Sequence, residues 1–148
     1  MRQRVLSGPS VRAAFESDEI TELVLDATDA GPFDGGCLVC AKALIFASDK
    51  GTLVRIASDA NGGQAEHYGA EINGNVYDAS GKYANGAAWL ANYKKEVGYK
   101  GKPGLRFERG TDAESNQNWN IVDDPRTAKE IAKLLRPYFS RVKGRPLI

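Results

Sequence analysis

Gln64-Ala65-Glu66-His67-Tyr68-Gly69-Ala70-Glu71-Ile72-Asn73-Gly74-Asn75-Val76-Tyr77-Asp78-Ala79-Ser80 reads as two strands joined by a tight turn. The residues predict one strand over Gln64 to Ile72 and another over Asn75 to Ser80. Between them, Asn73-Gly74 is the strongest short signal for a type I′ hairpin turn. That turn sets Ile72 opposite Asn75, Ala70 opposite Tyr77 and Gly69 opposite Asp78. Side chains alternate along a strand, so His67 and Gly69 share a face. Asp78 then lies diagonally across from His67, with backbones roughly 7–8 Å apart. Gly69 has no side chain to stand between them. The same alternation sends Glu66 to the opposite face and leaves Glu71 too far along. Asp78 is therefore the carboxylate of this hairpin placed to orient the imidazole of His67, the one histidine in the chain.

A carboxylate in that position fixes the imidazole tautomer and stabilises an imidazolium. The partner that such a histidine activates is found upstream, in Gly35-Gly36-Cys37. Leu38, Ala41, Leu44 and Ile45 follow with helical spacing, which puts Cys37 in the first turn of a helix. There, unpaired backbone N–H groups and the helix dipole favour a thiolate. The two glycines before it permit close approach of another backbone or of an acyl substrate. Cys40, one turn further in among apolar neighbours, reads as a small core residue. Two structural alternatives stand beside the catalytic one: a surface His–Asp pair, and two cysteines that are simply buried.

Cysteine on a helix, histidine on a strand and a polar residue on the next strand is an order that resembles the papain-like superfamily, in its transglutaminase-like and NlpC/P60-like branch. His67-Tyr68-Gly69-Ala70-Glu71-Ile72-Asn73-Gly74-Asn75 is similar to the histidine strand of NlpC/P60 domains, and Tyr77-Asp78-Ala79 to the transglutaminase-like aspartate. The resemblance covers about residues 33–80, and Gly-Gly-Cys stands where NlpC/P60 proteins commonly have Asp-Cys-Ser. It implies a papain-like α+β fold in which Cys37 attacks an amide or ester carbonyl, His67 is the base and Asp78 orients it. The implied substrate is a peptide, protein or peptidoglycan-type amide.

Composition agrees with an ordinary globular chain. With 148 residues the expectation is one domain over 1–148, long enough for its own core. Hydrophobic residues at 42% and charged residues at 26% exclude a disordered or fibrous class. No apolar stretch approaches the ~20 residues of a membrane span, and Met1 to Leu6 lacks the apolar run of a signal peptide. Two cysteines three apart do not make a disulfide framework. The expected setting is the cytoplasm, or export without a cleavable signal as an effector or phage lysin.

Elsewhere, Ser17 is a candidate N-cap for a helix that buries Ile20, Leu23, Val24 and Ala27. Gly31 to Gly36 is the loop leading to Cys37, and Thr52 to Ala57 predicts a strand. A helix is expected over about Gly86 to Val97, burying Trp89, Leu90 and Tyr93, and a short strand over Leu105 to Glu108. Asp59 to Gly63 and Gly110 to Asn120 are the candidate cleft loops. Asp124-Pro125 opens a last helix, with an apolar face of Ala128, Ile131, Ala132, Leu135, Tyr138 and Phe139 that Pro137 should end.

Charge is uneven although the net value is only +1. Glu16, Asp18, Glu19, Glu22, Asp26, Asp29 and Asp34 make the stretch between Ala13 and Ala41 wholly acidic in its charges. From Pro125 onward, Arg126, Lys129, Lys133, Arg136, Arg141, Lys143 and Arg145 oppose Glu130 alone. That basic terminal helix is either a solvated face or a surface for an acidic partner or nucleic acid. Two other chemistries use the same residues. Cys37-Leu38-Val39-Cys40 is a C-x-x-C that a thiol oxidoreductase would use, but the facing proline of thioredoxin-like proteins is missing between Pro32 and Pro103. Cys37, Cys40, His67 and Asp78 would make four metal ligands, yet their spacing is not that of a zinc site. The expectation is no cofactor and no metal.

Overall fold

The computed structural model describes residues 4–5, 8–32, 35–59, 62–97, 104–109, 121–138 and 140–141. These form an α+β structure. β1 (Arg4–Val5), α1 (Gly8–Glu16), α2 (Asp18–Thr28) and α3 (Cys37–Ser48) come first. β2 (Thr52–Ser58), β3 (Ala65–Ile72), β4 (Asn75–Asp78) and β5 (Gly81–Tyr83) follow as a run of strands. α4 (Gly86–Val97), β6 (Leu105–Arg109), α5 (Pro125–Leu135) and β7 (Ser140–Arg141) complete the order. The main sheet is antiparallel and open, in the order β5-β4-β3-β2-β6, while β1 and β7 pair as a separate short ladder.

The turn that sets the register is as expected. Asn73 and Gly74 have φ of 53° and 84°, the two positive values that a type I′ turn requires. Ile72 pairs with Asn75 and Ala70 with Tyr77. The second strand is shorter than expected, because it stops at Asp78 and turns through Ala79 and Ser80 into β5. Asp78-Ala79-Ser80-Gly81 behaves as a turn because the Asp78 carboxylate accepts from the Ser80 backbone N–H two residues on, at 2.9 Å.

The sheet is covered on both faces. Ala70, Ile72, Tyr77 and Ala79 pack into a core with α1, α2, α3 and α5. Val54, Ile56 and Val76 pack on the other side under Trp89, Leu90 and Tyr93 of α4. A stripe was expected on α3, but Cys37, Leu38, Val39, Cys40, Ala41, Ala43, Leu44 and Ala47 are all buried. Burial extends round most of the helix, with Lys42, Ile45, Phe46 and Ser48 only partly covered. Each fully buried Leu or Val there contributes roughly 1.5–3 kcal/mol.

Several details differ from expectation. α1 was not foreseen. Ser17 stands at the N-cap of α2 but makes no capping bond, since its hydroxyl donates back to the Ala14 carbonyl at 2.6 Å. Asp124 does cap α5, accepting from the Thr127 N–H at 3.0 Å, with Pro125 behind it. The helix ends at Leu135 as Pro137 requires, and Tyr138 is exposed rather than part of the apolar face. Phe139, Lys143, Arg145 and the 110–120 loop lie outside the described residues. Among the described residues, no helix is long and apolar enough to cross a membrane.

Gly36, the N-cap of α3, is needed for packing. A Cβ there would sit 2.3 Å from Val24 Cγ1 and 3.0 Å from the Gly31 carbonyl oxygen. The close approach at this glycine is therefore that of α2 and the Gly31 backbone, not of a substrate. Gly36→Ala should lose about 1–3 kcal/mol in denaturant unfolding, the usual cost of overpacking. Trimming Val24 to Ala in the same chain should recover part of the Gly36→Ala loss, which a double-mutant cycle would read.

Candidate active site

Gly36 delivers Cys37 as the first residue of α3. First-turn N–H groups have no intrahelical acceptor and point out of the helix end with the positive pole of its dipole. Cys37 is 4% exposed and packs with Leu38, Ala41, Ala65 and Tyr68. Cys40 faces the other way, into the helical core, and both thiols are free. Burial pushes the Cys40 thiol well above its ordinary value.

His67 lies near the start of β3 on the face covered by α4. Its Nε2–H donates to Asp78 Oδ2 at 2.8 Å, closing the diagonal across the hairpin. The Cys37 side chain is the ring's other electrostatic neighbour and, with Asp78, favours its charged form. One imidazole thus joins residues from a helix and two strands. Burial works against its charge, but Asp78 and Cys37 outweigh that and push its pKa up to about 10. The His67 side chain retains 20% exposure, so it is the more open of the pair.

Asp78 is buried, at 7% exposure, yet all its lone pairs are addressed. Oδ1 accepts from the Ser80 N–H at 2.9 Å and the Ser80 hydroxyl at 2.5 Å. Oδ2 accepts from His67 and from the Trp89 indole N–H at 2.9 Å. Burial raises the carboxyl pKa, and the hydrogen bonds from His67, Ser80 and Trp89 reverse that and hold it below its ordinary value.

Around this pair are residues that alternation did not find. Ile56 pairs with His67 but Ala57 pairs with Ala65, so Glu66 is the extra residue of a bulge in β3. The bulge breaks alternation, and the charge of Glu66, expected on the far face, acts on Tyr93. Tyr93 in turn stacks on the His67 ring, with centroids 5.3 Å apart and planes at 10°. Burial pushes the Tyr93 hydroxyl up to about 12. Tyr83 accepts from Asn92 Nδ2 at 3.0 Å and meets the Ser80 hydroxyl at 3.0 Å. Trp89, Asn92 and Tyr93 recur at helical spacing, and only their shared face on α4 marked them; Asp-x-Ser-Gly was the readable sign for Ser80.

Of the expected site residues, Cys37, His67 and Asp78 come together, and Cys40 stays apart from them. Among the described residues no group of three His, Cys, Asp or Glu side chains is arranged to hold a metal ion. No family model matches the chain, and no curated protein or solved structure matches it.

The raised His67 has a consequence for stability. Its folded value of about 10 lies above the ordinary 6.5, so folded His67 keeps its proton where the unfolded residue has lost it. The stabilisation is complete below pH 6.5 and is lost as pH rises through 10. Unfolding free energy should therefore fall across that window, by at most about 1.4 kcal/mol per pH unit. Urea titrations of native protein and His67→Gln would check this. The variant should show the flatter profile.

Proposed function

We propose that this chain is a papain-like thiol hydrolase or acyltransferase, with Cys37 as nucleophile, His67 as base and acid, and Asp78 as the group that orients His67. The observation that carries the reading is the 2.8 Å bond of the His67 ring to buried Asp78, with the Cys37 side chain as the ring's other electrostatic neighbour. The papain-like assignment is supported by a core helix that begins at the cysteine and by adjacent antiparallel strands carrying the histidine and aspartate.

In the first step, His67 holds the proton of Cys37 as an imidazolium, stabilised by Asp78. The thiolate attacks the carbonyl carbon of an amide or ester. An S–C bond forms, the carbonyl π pair moves to oxygen, and the first-turn N–H of Cys37 is placed to stabilise that oxyanion. The tetrahedral centre collapses, the bond to nitrogen or oxygen breaks, and the imidazolium gives its proton to the leaving group. His67 then takes a proton from water or from an acceptor amine as it attacks the thioester carbonyl. The S–C bond breaks and the thiol is restored. The substrate class is a peptide, protein side-chain or peptidoglycan-type amide. A nucleophile only 4% exposed favours groups that reach it alongside the His67 ring.

A second reading rests on the exposed basic side of α5, where Arg126, Lys129 and Lys133 recur along the helix and Arg136 follows its end. On that reading the chain binds an acidic protein or nucleic acid, and binding collapses with salt but survives Cys37→Ala.

Iodoacetamide at neutral pH should label Cys37 at least tenfold faster than Cys40, and His67→Ala should remove most of the difference. Intact mass after exposure to activated-ester probes should show one acyl adduct, absent in Cys37→Ala. Equal and slow labelling of both thiols, with no adduct, would rule out the enzyme reading.

A further inference from the structure

We propose that Trp89 is a positioning residue for this reaction, its indole N–H aiming the Asp78 carboxylate at His67 and keeping water from that oxygen. The inference rests on the acyl-transfer reading above. It starts from the sharing of one atom: Asp78 Oδ2 accepts from His67 Nε2 at 2.8 Å and from Trp89 Nε1 at 2.9 Å. Ser80 holds the other oxygen through its N–H and its hydroxyl. With both oxygens bound, the carboxyl group cannot turn about its terminal torsion without breaking bonds, so Oδ2 stays directed at the imidazole.

Trp89 can reach this oxygen only because β3 carries Gly69 beneath it. A Cβ at 69 would lie 2.8 Å from Trp89 Cζ2 and 3.0 Å from the Tyr77 carbonyl oxygen. The indole therefore occupies the space that any other residue at 69 would fill. It is 1% exposed, so it bars solvent from the inner side of the carboxylate, where a hydrogen bond to charge is strong.

The rest of that face of α4 serves the same pair of residues. Tyr93 lies flat on the imidazole, and Asn92 reaches Asp78 through the Tyr83 and Ser80 hydroxyls. A space-filling role alone would need an aromatic ring over Gly69 but no donor pointed at the aspartate. The donor is what distinguishes tryptophan from phenylalanine here.

The test follows Cys37 alkylation by iodoacetamide against pH in the full chain, for native protein, Trp89→Phe, Gly69→Ala and Asp78→Asn. The His67 imidazole is monitored by nitrogen NMR, unambiguous because the chain has one histidine. Trp89→Phe keeps a ring over Gly69 but removes the donor. It should slow labelling about tenfold at neutral pH and move the acid limb upward by about one pH unit, because the carboxylate loses a bond that favours its charged form. Gly69→Ala, which displaces an intact indole, should shift both in the same direction. An acid limb and His67 titration unchanged in Trp89→Phe, but altered in Asp78→Asn, would overturn the inference and leave the acyl-transfer reading standing. No change in Asp78→Asn either would remove both. Should Trp89→Phe fail to fold, the native indole N–H resonances decide: one should be shifted by Asp78→Asn, and no response would overturn the proposal.

Discussion

A carboxylate cannot be buried in this molecule unless donors converge on it, and the placement of Asp78 organises everything around the site. Removing an ionised carboxylate from water costs several kcal/mol. Four hydrogen bonds offset that cost, from the ring of His67, the N–H and hydroxyl of Ser80, and the indole of Trp89. These donors belong to β3, to the turn after β4 and to α4. The hairpin, its following turn and the helix laid across it are thus fastened at a single side chain. Loss of any one donor would leave part of a buried charge unmatched, which is why the elements that meet there hold one geometry.

The second constraint is how a thiol from α3 reaches an imidazole on the α4 side of the sheet. α3 packs between α5 and the sheet, and its first turn lies against Ala65 and Tyr68 of β3. Gly36 lets α2 close against that end, with Val24 where any side chain would have to go. The bulge at Glu66 turns the beginning of β3 away from strict alternation, where His67 meets Cys37. Bulges add local twist and re-aim side chains. Here the same bulge sets the charge of Glu66 near Tyr93, whose ring stacks on His67.

Much of the site was legible because it depends on short-range rules. Asn73-Gly74 requires a type I′ turn, and that turn sets the register that puts Asp78 diagonal to His67. Asp124-Pro125 marked the start of α5 for equally local reasons. Alternation puts Glu66 on the wrong face because a bulge is decided by the partner strand, β2, and carries no signature within β3. Ser80 reads as strand from the pattern, yet Asp78-Ala79-Ser80 has to choose between extending a ladder and closing on its own carboxylate. The bond from Ser80 to Asp78 prevails, and β5 begins there. α3 read as a striped helix because the pattern alone cannot show that α5, from far along the chain, will cover its other side.

The amino-acid sequence by itself determined α2 to α5, the β3–β4 hairpin and the pairing of His67 with Asp78, but not α1, β1, β5 or β7, because turn chemistry, helix capping and strand alternation act over a few residues. Only the tertiary structure decided that Cys37 joins them, that Cys40 does not, and that Trp89 and Tyr93 close over the pair. Those outcomes depend on contacts between segments tens of residues apart, and they are set by how buried charge and apolar surface are satisfied together rather than by any local preference.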